Sequence, residues 1–254
     1  MPIIQAIDRA LKIVDLFDEQ QTELKITEIS EKMSLHKSTV HSLLKTLQLH
    51  GYIQQDEENG KYRLGMRFAE KGQLFLNQLD LRDFVRPSLK KLSSLTGQTT
   101  HLVTLERNEG LYIDKVEGEK AAIRYSRIGR TVPLYTSAAG KVLVAFQEQP
   151  LRQNLVKTIT FEQKTEKTIL NAKTYEQALE AAIINGYAID NEENEVGVRC
   201  AAVPIFNHNG EIQAAISLST MVASVGDEEL QVFIQQLKQS ADEVSVKLGY
   251  RGNK

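Results

Sequence analysis

Residues 34–53, SLHKSTVHSLLKTLQLHGYI, restrict the fold of this chain more than any other stretch. Apolar residues recur there at i, i+3, i+4 and i+7, which places them on one face of a helix. The apolar positions are Val40, Leu43, Leu44 and Leu47, and the polar positions on the opposite face are Ser38, His41, Ser42 and Lys45. A helix of this kind, following a second short helix, is typical of a recognition helix that presents its polar face to the major groove of DNA.

The neighbouring segments predict a winged helix-turn-helix. Thr27 is expected to cap the second helix, with Glu28 in its first turn, and Gly51 to end the third. Asn59-Gly60 is a strong hairpin-turn signal between two short extended segments. A first helix is predicted from a helical stripe whose members are Ile3, Ile7, Ala10, Leu11, Val14 and Phe17.

Composition limits the other classes of protein. The chain has 254 residues, 41% of them hydrophobic, and no apolar run near the ~18 residues of a membrane helix, so we expect a cytoplasmic protein without a targeting peptide. One cysteine excludes an internal disulfide, and the scattered histidines have no zinc spacing, so neither metal nor cofactor is predicted. A net charge of -2 means that DNA contact must come from local patterning. Residues 32–50 supply it, with Lys32, Lys37 and Lys45 and no acid.

The spacing of apolar residues changes along the rest of the chain. Residues 66–95 are helical in pattern, and Pro87 is expected to mark a helix start or bend. Beyond Gly97, alternating segments predict two antiparallel hairpins, and separate helices are predicted at residues 138–147, 175–186 and 227–248. Hairpins with separate helices indicate an α+β domain.

Three segments of this domain could form a site. Thr136 to Lys141, TSAAGK, could hold an anion on free N–H groups at a helix start, or could simply be a capped helix with small residues for close packing. Alternation in residues 212–219 places Ile212, Ala214, Ile216 and Leu218 on one face and Ala215, Ser217 and Ser219 on the other, facing either a pocket or water. The acids at residues 190–195, DNEENE, precede Cys200, and Glu192, Glu193 and Glu195 are expected to be solvated.

Cys200 itself permits two interpretations. A lone thiol at the start of a buried-looking strand is usually an inert core group. An enzyme using it for acyl transfer would need an adjacent base, and no motif links it to the candidates His101 and His208. We therefore predict that the protein is not an enzyme.

Four blocks in order along the chain resemble those of IclR-type bacterial transcriptional regulators: SLHKSTVHSLLKTLQLHGYI, YRLGMRFAEKG, GRTVPLYTSAAGKVL and NEENEVGVRCAAVPIFNHNGEI. The resemblance implies a winged helix-turn-helix DNA-binding domain, a helical linker, and an effector and oligomerisation domain with a GAF- or profilin-like antiparallel sheet. We assign these to residues 1–64, 65–82 and 83–254. It also implies homodimers or homotetramers, palindromic double-stranded operators, and a small organic acid as effector.

The resemblance also supplies candidate residues. Carried onto matching positions, the family's effector pocket consists of Ala138, Ala139, Asp190, Cys200, Ser217 and Ser219. For DNA, Ser38, Thr39, His41, Ser42 and Lys45 are expected to face the groove, with Lys37, Lys61 and Arg63 on phosphates. Family members commonly have arginine, the commonest reader of guanine, where this chain has Ser42.

These observations predict a transcription factor, more often a repressor than an activator in this family, that responds to an organic acid. Because Asp190 would repel a second carboxylate unless one of the two is protonated, we expect a small hydroxy- or keto-acid rather than a dicarboxylate. The alternative is a DNA-binding protein whose second domain serves only assembly.

Overall fold

The computed structural model describes residues 3–18, 20–71, 81–119 and 126–252. They form two compact units, Met1–Asp80 and Leu81–Lys254. The predicted linker at residues 65–82 is helical over residues 67–71, but residues 72–80 lie outside the described part, so its extent stays a prediction. Within the described ranges, no helix is long and apolar enough to span a bilayer.

The N-terminal unit is a winged helix-turn-helix, as predicted. Its core joins the three helices to the two strands of the wing through Ile13, Ile29, Val40, Leu44, Ile53 and Tyr62. Its elements are α1 (Gln5–Val14), α2 (Ile26–Met33), α3 (Lys37–Leu49), β1 (Ile53–Gln55) and β2 (Tyr62–Leu64).

The first helix forms as predicted, but the first half of its apolar stripe is exposed. Ile7 and Leu11 are 56% and 60% exposed, and Ile3 before the helix is 76% exposed. Phe17, the last member of the stripe, is buried, and so is Ile13, which the stripe did not include. Both residues belong to the core that α1 shares with α3. The stripe was helical in period, but period alone does not say which of two apolar faces meets a neighbour.

The ends of α2 and α3 are determined by a capping interaction and by residues with left-handed backbone conformation. The N-cap of α2 is Lys25 rather than the predicted Thr27, and Oε2 of Glu28 accepts the Lys25 backbone N–H at 2.6 Å. Ser34, in the turn between the helices, has left-handed φ and ψ of 52° and 40°. Gly51, with φ +74°, ends α3 as predicted.

The C-terminal unit is built on a six-stranded antiparallel sheet with strand order β5-β4-β3-β8-β7-β6. This is the expected α+β architecture. In chain order, its elements are α4 (Leu81–Thr96), β3 (Thr99–Glu106), β4 (Glu109–Val116), β5 (Thr131–Val132), α5 (Ala138–Ala145), α6 (Gln149–Thr158), α7 (Ala172–Asn185), β6 (Ala188–Asn191), β7 (Val198–Phe206), β8 (Ile212–Met221) and α8 (Asp227–Lys247).

Each face of this sheet is covered by a separate helical layer. One face packs against α5, α6 and α7 around Val142, Leu155 and Tyr175. The other packs against α4 and α8 around Leu89 and Leu237. Because both faces are covered, most residues of β3, β7 and β8 are buried, polar as well as apolar.

The structure sharpens or corrects several expectations about this unit. Of the two alternatives for Pro87, a helix start is excluded, because Pro87 lies inside α4. The β3–β4 hairpin, predicted from alternation, turns through Arg107 and Asn108, both with positive φ. Ile212 packs on the α5 side rather than with Ala214 and Ile216, because the β7–β8 register shifts between Ile205 and Phe206. A bulge of this kind interrupts the alternation of side chains.

Candidate functional site

The polar face of α3 is available to a ligand. Lys37, Ser38, His41, Ser42 and Lys45 are all exposed, and Thr39 is half-buried. The side chain of His36, the N-cap of α3, accepts a hydrogen bond from the Ser38 backbone N–H. The residues predicted to read bases therefore lie together on one solvent-facing helix surface.

Ser42 is partly committed to its own helix. Its Oγ donates to the Ser38 carbonyl at 3.1 Å, and Thr46 donates in the same way to the Ser42 carbonyl at 2.9 Å. While this bond lasts, the Ser42 oxygen can offer a base only its remaining acceptor capacity.

The two residues of the wing predicted to contact phosphates, Lys61 and Arg63, have different surroundings. Arg63 is exposed on β2, whereas Nζ of Lys61 lies 3.6 Å from Oε2 of Glu23. Both side chains of that pair are partly exposed, which makes it a weak surface ion pair. Lys61 must leave or share this partner to contact a phosphate.

In the C-terminal unit, four polar side chains form a row across the sheet on the face covered by α5. Register pairs Asp190 with Cys200, Cys200 with Ser219, and Ser219 with Thr99. Sγ of Cys200 donates to Oγ of Ser219 at 3.1 Å. Ser217 lies one position further along this face, opposite His101. Alternation on β8 had placed the two serines together correctly, but their alignment with Asp190 comes from strands distant in sequence.

This row opens on a cavity of about 420 Å³. Three of the six predicted effector residues, Asp190, Cys200 and Ser219, lie in its wall, whereas Ala138, Ala139 and Ser217 are buried beside it. The other lining residues are Tyr112, Ser126, Arg130, Thr131, Pro133, Ser137, Lys164, Asn194, Glu195 and Val198.

The start of α5 borders the same cavity. Ser137 is the N-cap, since its Oγ accepts the Gly140 N–H at 2.9 Å and donates to the Pro133 carbonyl at 2.6 Å. Among the residues that the structure describes, the N–H groups of Ala138 and Ala139 have no hydrogen-bond acceptor. They are the orphan donors that any helix start presents, here beside a polar cavity.

Asp190 is a carboxyl group with an unusual environment. Burial raises its pKa to about 7, although the backbone N–H groups of Glu193 and Asn194 and the charge of Lys141 act in the opposite direction. Its Oδ1 accepts those two N–H groups at 2.8 and 3.3 Å. Near neutral pH this group therefore exists in both protonation states, and it can either donate to or accept from a ligand.

Cys200 lines the cavity and lacks the properties of a nucleophilic cysteine. Burial and, secondarily, the charge of Asp190 raise the pKa of its thiol far above the ordinary value. A nucleophilic cysteine needs the opposite shift and a base within reach. His101 instead bonds through Nε2 to Ser126. Within the described ranges, no group of three or more His, Cys, Asp or Glu is placed to hold a metal.

The acidic loop at residues 190–195 is held by the protein and is not the solvated loop that we expected. Lys141 pairs with Glu193, and Lys167 with Glu192. The Thr165 and Thr168 hydroxyls donate to the Glu192 and Glu193 carbonyls at 2.7 and 2.8 Å. This loop carries Asn194 and Glu195 in the cavity wall, so its anchors also shape the candidate site.

Sequence reasoning missed the wall contributed by β4 and the segment after it. Tyr112 and Ser126 line the cavity, and both contact buried His101. A histidine within the apolar strand HLVTLE is a signal for a polar partner on the same face. The identity of that partner, 25 residues away, was not accessible from local pattern.

Comparison with known proteins agrees with this architecture. The family description "Bacterial transcriptional regulator IclR C-terminal" matches residues 73–246, and "IclR helix-turn-helix domain" matches residues 6–57. The chain is 51% identical to the HTH-type transcriptional regulator XynR of Escherichia coli over 98% of this chain and 99% of that protein. It is 33% identical to the E. coli regulator KdgR over 96% and 94%.

The solved structures give the same result. The crystal structure of the Agobacterium tumefaciens repressor BlcR superposes with a TM-score of 0.84 at 25% identity, covering 98% of this chain and 99% of that one. These relatives are transcriptional regulators rather than enzymes, which confirms that prediction. The chain belongs to the IclR family of bacterial transcriptional regulators.

Proposed function

We propose that this DNA-binding regulator is a repressor whose operator binding is modulated by a small hydroxy- or keto-acid held in the C-terminal unit. The observation that carries the proposal is the polar row of Asp190, Cys200 and Ser219 opening on a cavity of about 420 Å³. Pockets of this size with a few convergent polar groups are typical of small-molecule sites. The assignment as a repressor is supported by the name of the similar protein BlcR.

An acid fits the charges of the cavity. Arg130 and Lys164 in its wall favour an anion, and the free N–H groups of Ala138 and Ala139 are proposed to hold the carboxylate. Asp190, Ser217 and Ser219 would contact hydroxyl or carbonyl oxygens. Because Asp190 and Glu195 lie in the same wall, a second carboxylate on the effector would meet repulsion.

For DNA, the proposed contacts are the exposed face of α3 and the wing. Ser38, Thr39, His41, Ser42 and Lys45 would read bases, and Lys37, Lys61 and Arg63 would neutralise phosphates. A two-fold dimer, alone or paired into a tetramer, would place two such helices about one DNA turn apart on a palindromic operator.

Selection of bound DNA from a random pool tests both parts. We expect enriched sequences with two inverted half-sites and loss of binding when the correct acid is added. Lys45→Ala should weaken binding to the selected site, while Lys173→Ala, an exposed lysine on α7, should not. Enrichment without response to any hydroxy- or keto-acid would favour a C-terminal unit that serves only assembly.

A further inference from the structure

We propose that His101 is a positioning residue of the effector pocket, whose imidazole orients the Ser126 hydroxyl so that it donates to a carbonyl oxygen of the effector. This inference rests on the function proposed above and adds to it a residue outside the six assigned by family resemblance. It concerns the wall made by Tyr112 and Ser126.

The position of His101 links it to the pocket rather than to the opposite core. It lies on β3 opposite Ser217 of β8, on the sheet face that also carries Ser219. Its side chain is 1% exposed. A polar ring buried this completely needs partners, because an unmade hydrogen bond in an apolar interior is costly.

Both partners of the ring lie in the cavity wall. Nε2 of His101 is 2.8 Å from Oγ of Ser126, and the ring centroid is 5.0 Å from that of Tyr112, with the planes inclined by 47°. Nδ1 of His101 is buried and has no partner among the residues that the structure describes. The imidazole thus acts toward the pocket through one nitrogen and one ring face.

The charge state of the ring follows from its surroundings. Burial, and then the charge of Lys115, lower the pKa of His101 to about 3, so the ring is neutral at physiological pH. A neutral imidazole has one N–H. Orphaned buried donors are rarer in proteins than under-used acceptors, which favours the proton on Nε2, where Ser126 accepts it, over the unpartnered Nδ1.

This tautomer determines what Ser126 can offer. With its oxygen accepting from His101, the hydroxyl keeps its own proton for another acceptor. Nζ of Lys115 holds the Ser126 backbone carbonyl at 3.0 Å, which restrains the residue from its other side. The pocket then has a fixed donor at Ser126, on a wall distinct from the Asp190 end of the row.

The ligand-binding test uses pyruvate and L-lactate as probes, which differ by a carbonyl or hydroxyl at one carbon. Titration calorimetry of the full chain should show Ser126→Ala and His101→Phe each weakening pyruvate binding about tenfold, the effect of one lost hydrogen bond. Both should weaken lactate less. The double variant should be no weaker than either single variant, because His101 acts through Ser126.

A purely structural role for His101 predicts another result. The two losses would then add, and both acids would weaken equally. Thr104→Val is the matched control, since Thr104 lies on the same strand but on the opposite face, with an equally unpartnered buried hydroxyl. It should leave binding of both acids unchanged, and a tenfold loss there would overturn the proposal.

A ligand-free measurement separates this inference from the effector class. In the ¹⁵N-labelled chain, the His101 imidazole signals, identified by their loss in His101→Phe, should show protonated Nε2 and bare Nδ1 from pH 5 to pH 8. Ser126→Ala should shift the Nε2 signal. A protonated Nδ1, or titration near the ordinary histidine pKa, would overturn the role of His101. If wild type binds neither acid, the effector class proposed above fails, and these signals still decide about His101.

Discussion

Nζ of Lys141 lies 2.6 Å from Oε1 of Glu193, and the two side chains are 4% and 12% exposed. Lys141 also donates to the Ile189 carbonyl at 2.8 Å. One buried lysine on α5 therefore joins the acidic loop at residues 190–195 to the edge strand β6. Since Asp190, Asn194 and Glu195 line the cavity, this ion pair supports one wall of the proposed effector site.

We expect Lys141→Met to lower the free energy of unfolding of the C-terminal unit by about 3 kcal/mol, because it leaves the Glu193 carboxylate buried without its partner. Urea-induced unfolding followed by circular dichroism measures the loss. Adding Glu193→Leu should recover most of it, since two apolar groups replace the buried pair. A double variant no more stable than Lys141→Met would show that the pair is not the source of the effect.

Asp190 should make stability depend on pH. Its pKa is raised from 3.8 to about 7 by burial, so the folded chain keeps a proton that the unfolded chain releases between these values. This contribution to stability is present at low pH and is lost as pH rises from about 4 to about 7. We expect Asp190→Asn to remove the loss, and therefore to gain on the order of 3 kcal/mol over wild type between pH 4 and pH 8. If the free energies of unfolding of wild type and Asp190→Asn changed with pH in the same way, the raised pKa of Asp190 would be contradicted.

The wing contains a charge that competes with DNA. Because Glu23 lies 3.6 Å from Lys61, Glu23→Gln should free this lysine and strengthen operator binding about two- to threefold. Fluorescence anisotropy with the selected operator, repeated over a range of salt concentrations, measures the change. Glu31→Gln makes the same charge change at an exposed position of α2 and should have the smaller effect. Equal gains for both variants would mean that net charge, not Lys61, is responsible.

The first turn of α5 requires glycine at position 140 for a steric reason. A Cβ at Gly140 would lie 2.4 Å from the Pro133 carbonyl oxygen and 2.6 Å from Cα of Leu134. We expect Gly140→Ala to destabilise the C-terminal unit by roughly 2–3 kcal/mol and to weaken effector binding, because backbone must move at the pocket wall. Gly226→Ala is the control, since a Cβ there meets nothing within 4 Å. Thermal unfolding of the two variants should therefore differ clearly, and equal melting temperatures would argue against this packing constraint.

The two units differed in how far their sequence patterns could be interpreted. In the N-terminal unit, the apolar period of α3 and the turn residues Gly51 and Asn59-Gly60 predicted the helix, its end and the wing correctly. The same reasoning predicted α1 as a helix but not which side of it is buried, since Ile3, Ile7 and Leu11 of the stripe are exposed. A helical period identifies a stripe but not the surface that covers it.

In the C-terminal unit, alternation predicted that Ser217 and Ser219 share a face, and this is a property of any extended strand. It failed for Ile212, where a bulge shifts the register with β7. Lys141 and Glu193, 52 residues apart, could not be paired from sequence, and the acidic run consequently looked solvated.

The sequence by itself determined the local elements of this protein: helix periods, turn positions, strand faces and the blocks that indicate its family. Only the tertiary structure decided that Asp190, Cys200 and Ser219 form one row, that the acidic loop is anchored by Lys141, and that His101 meets Ser126. The physical reason is that periodicity and φ preference act within a few residues along the chain. Burial, partner choice and the resulting pKa of a side chain depend on which distant strand or helix packs against it.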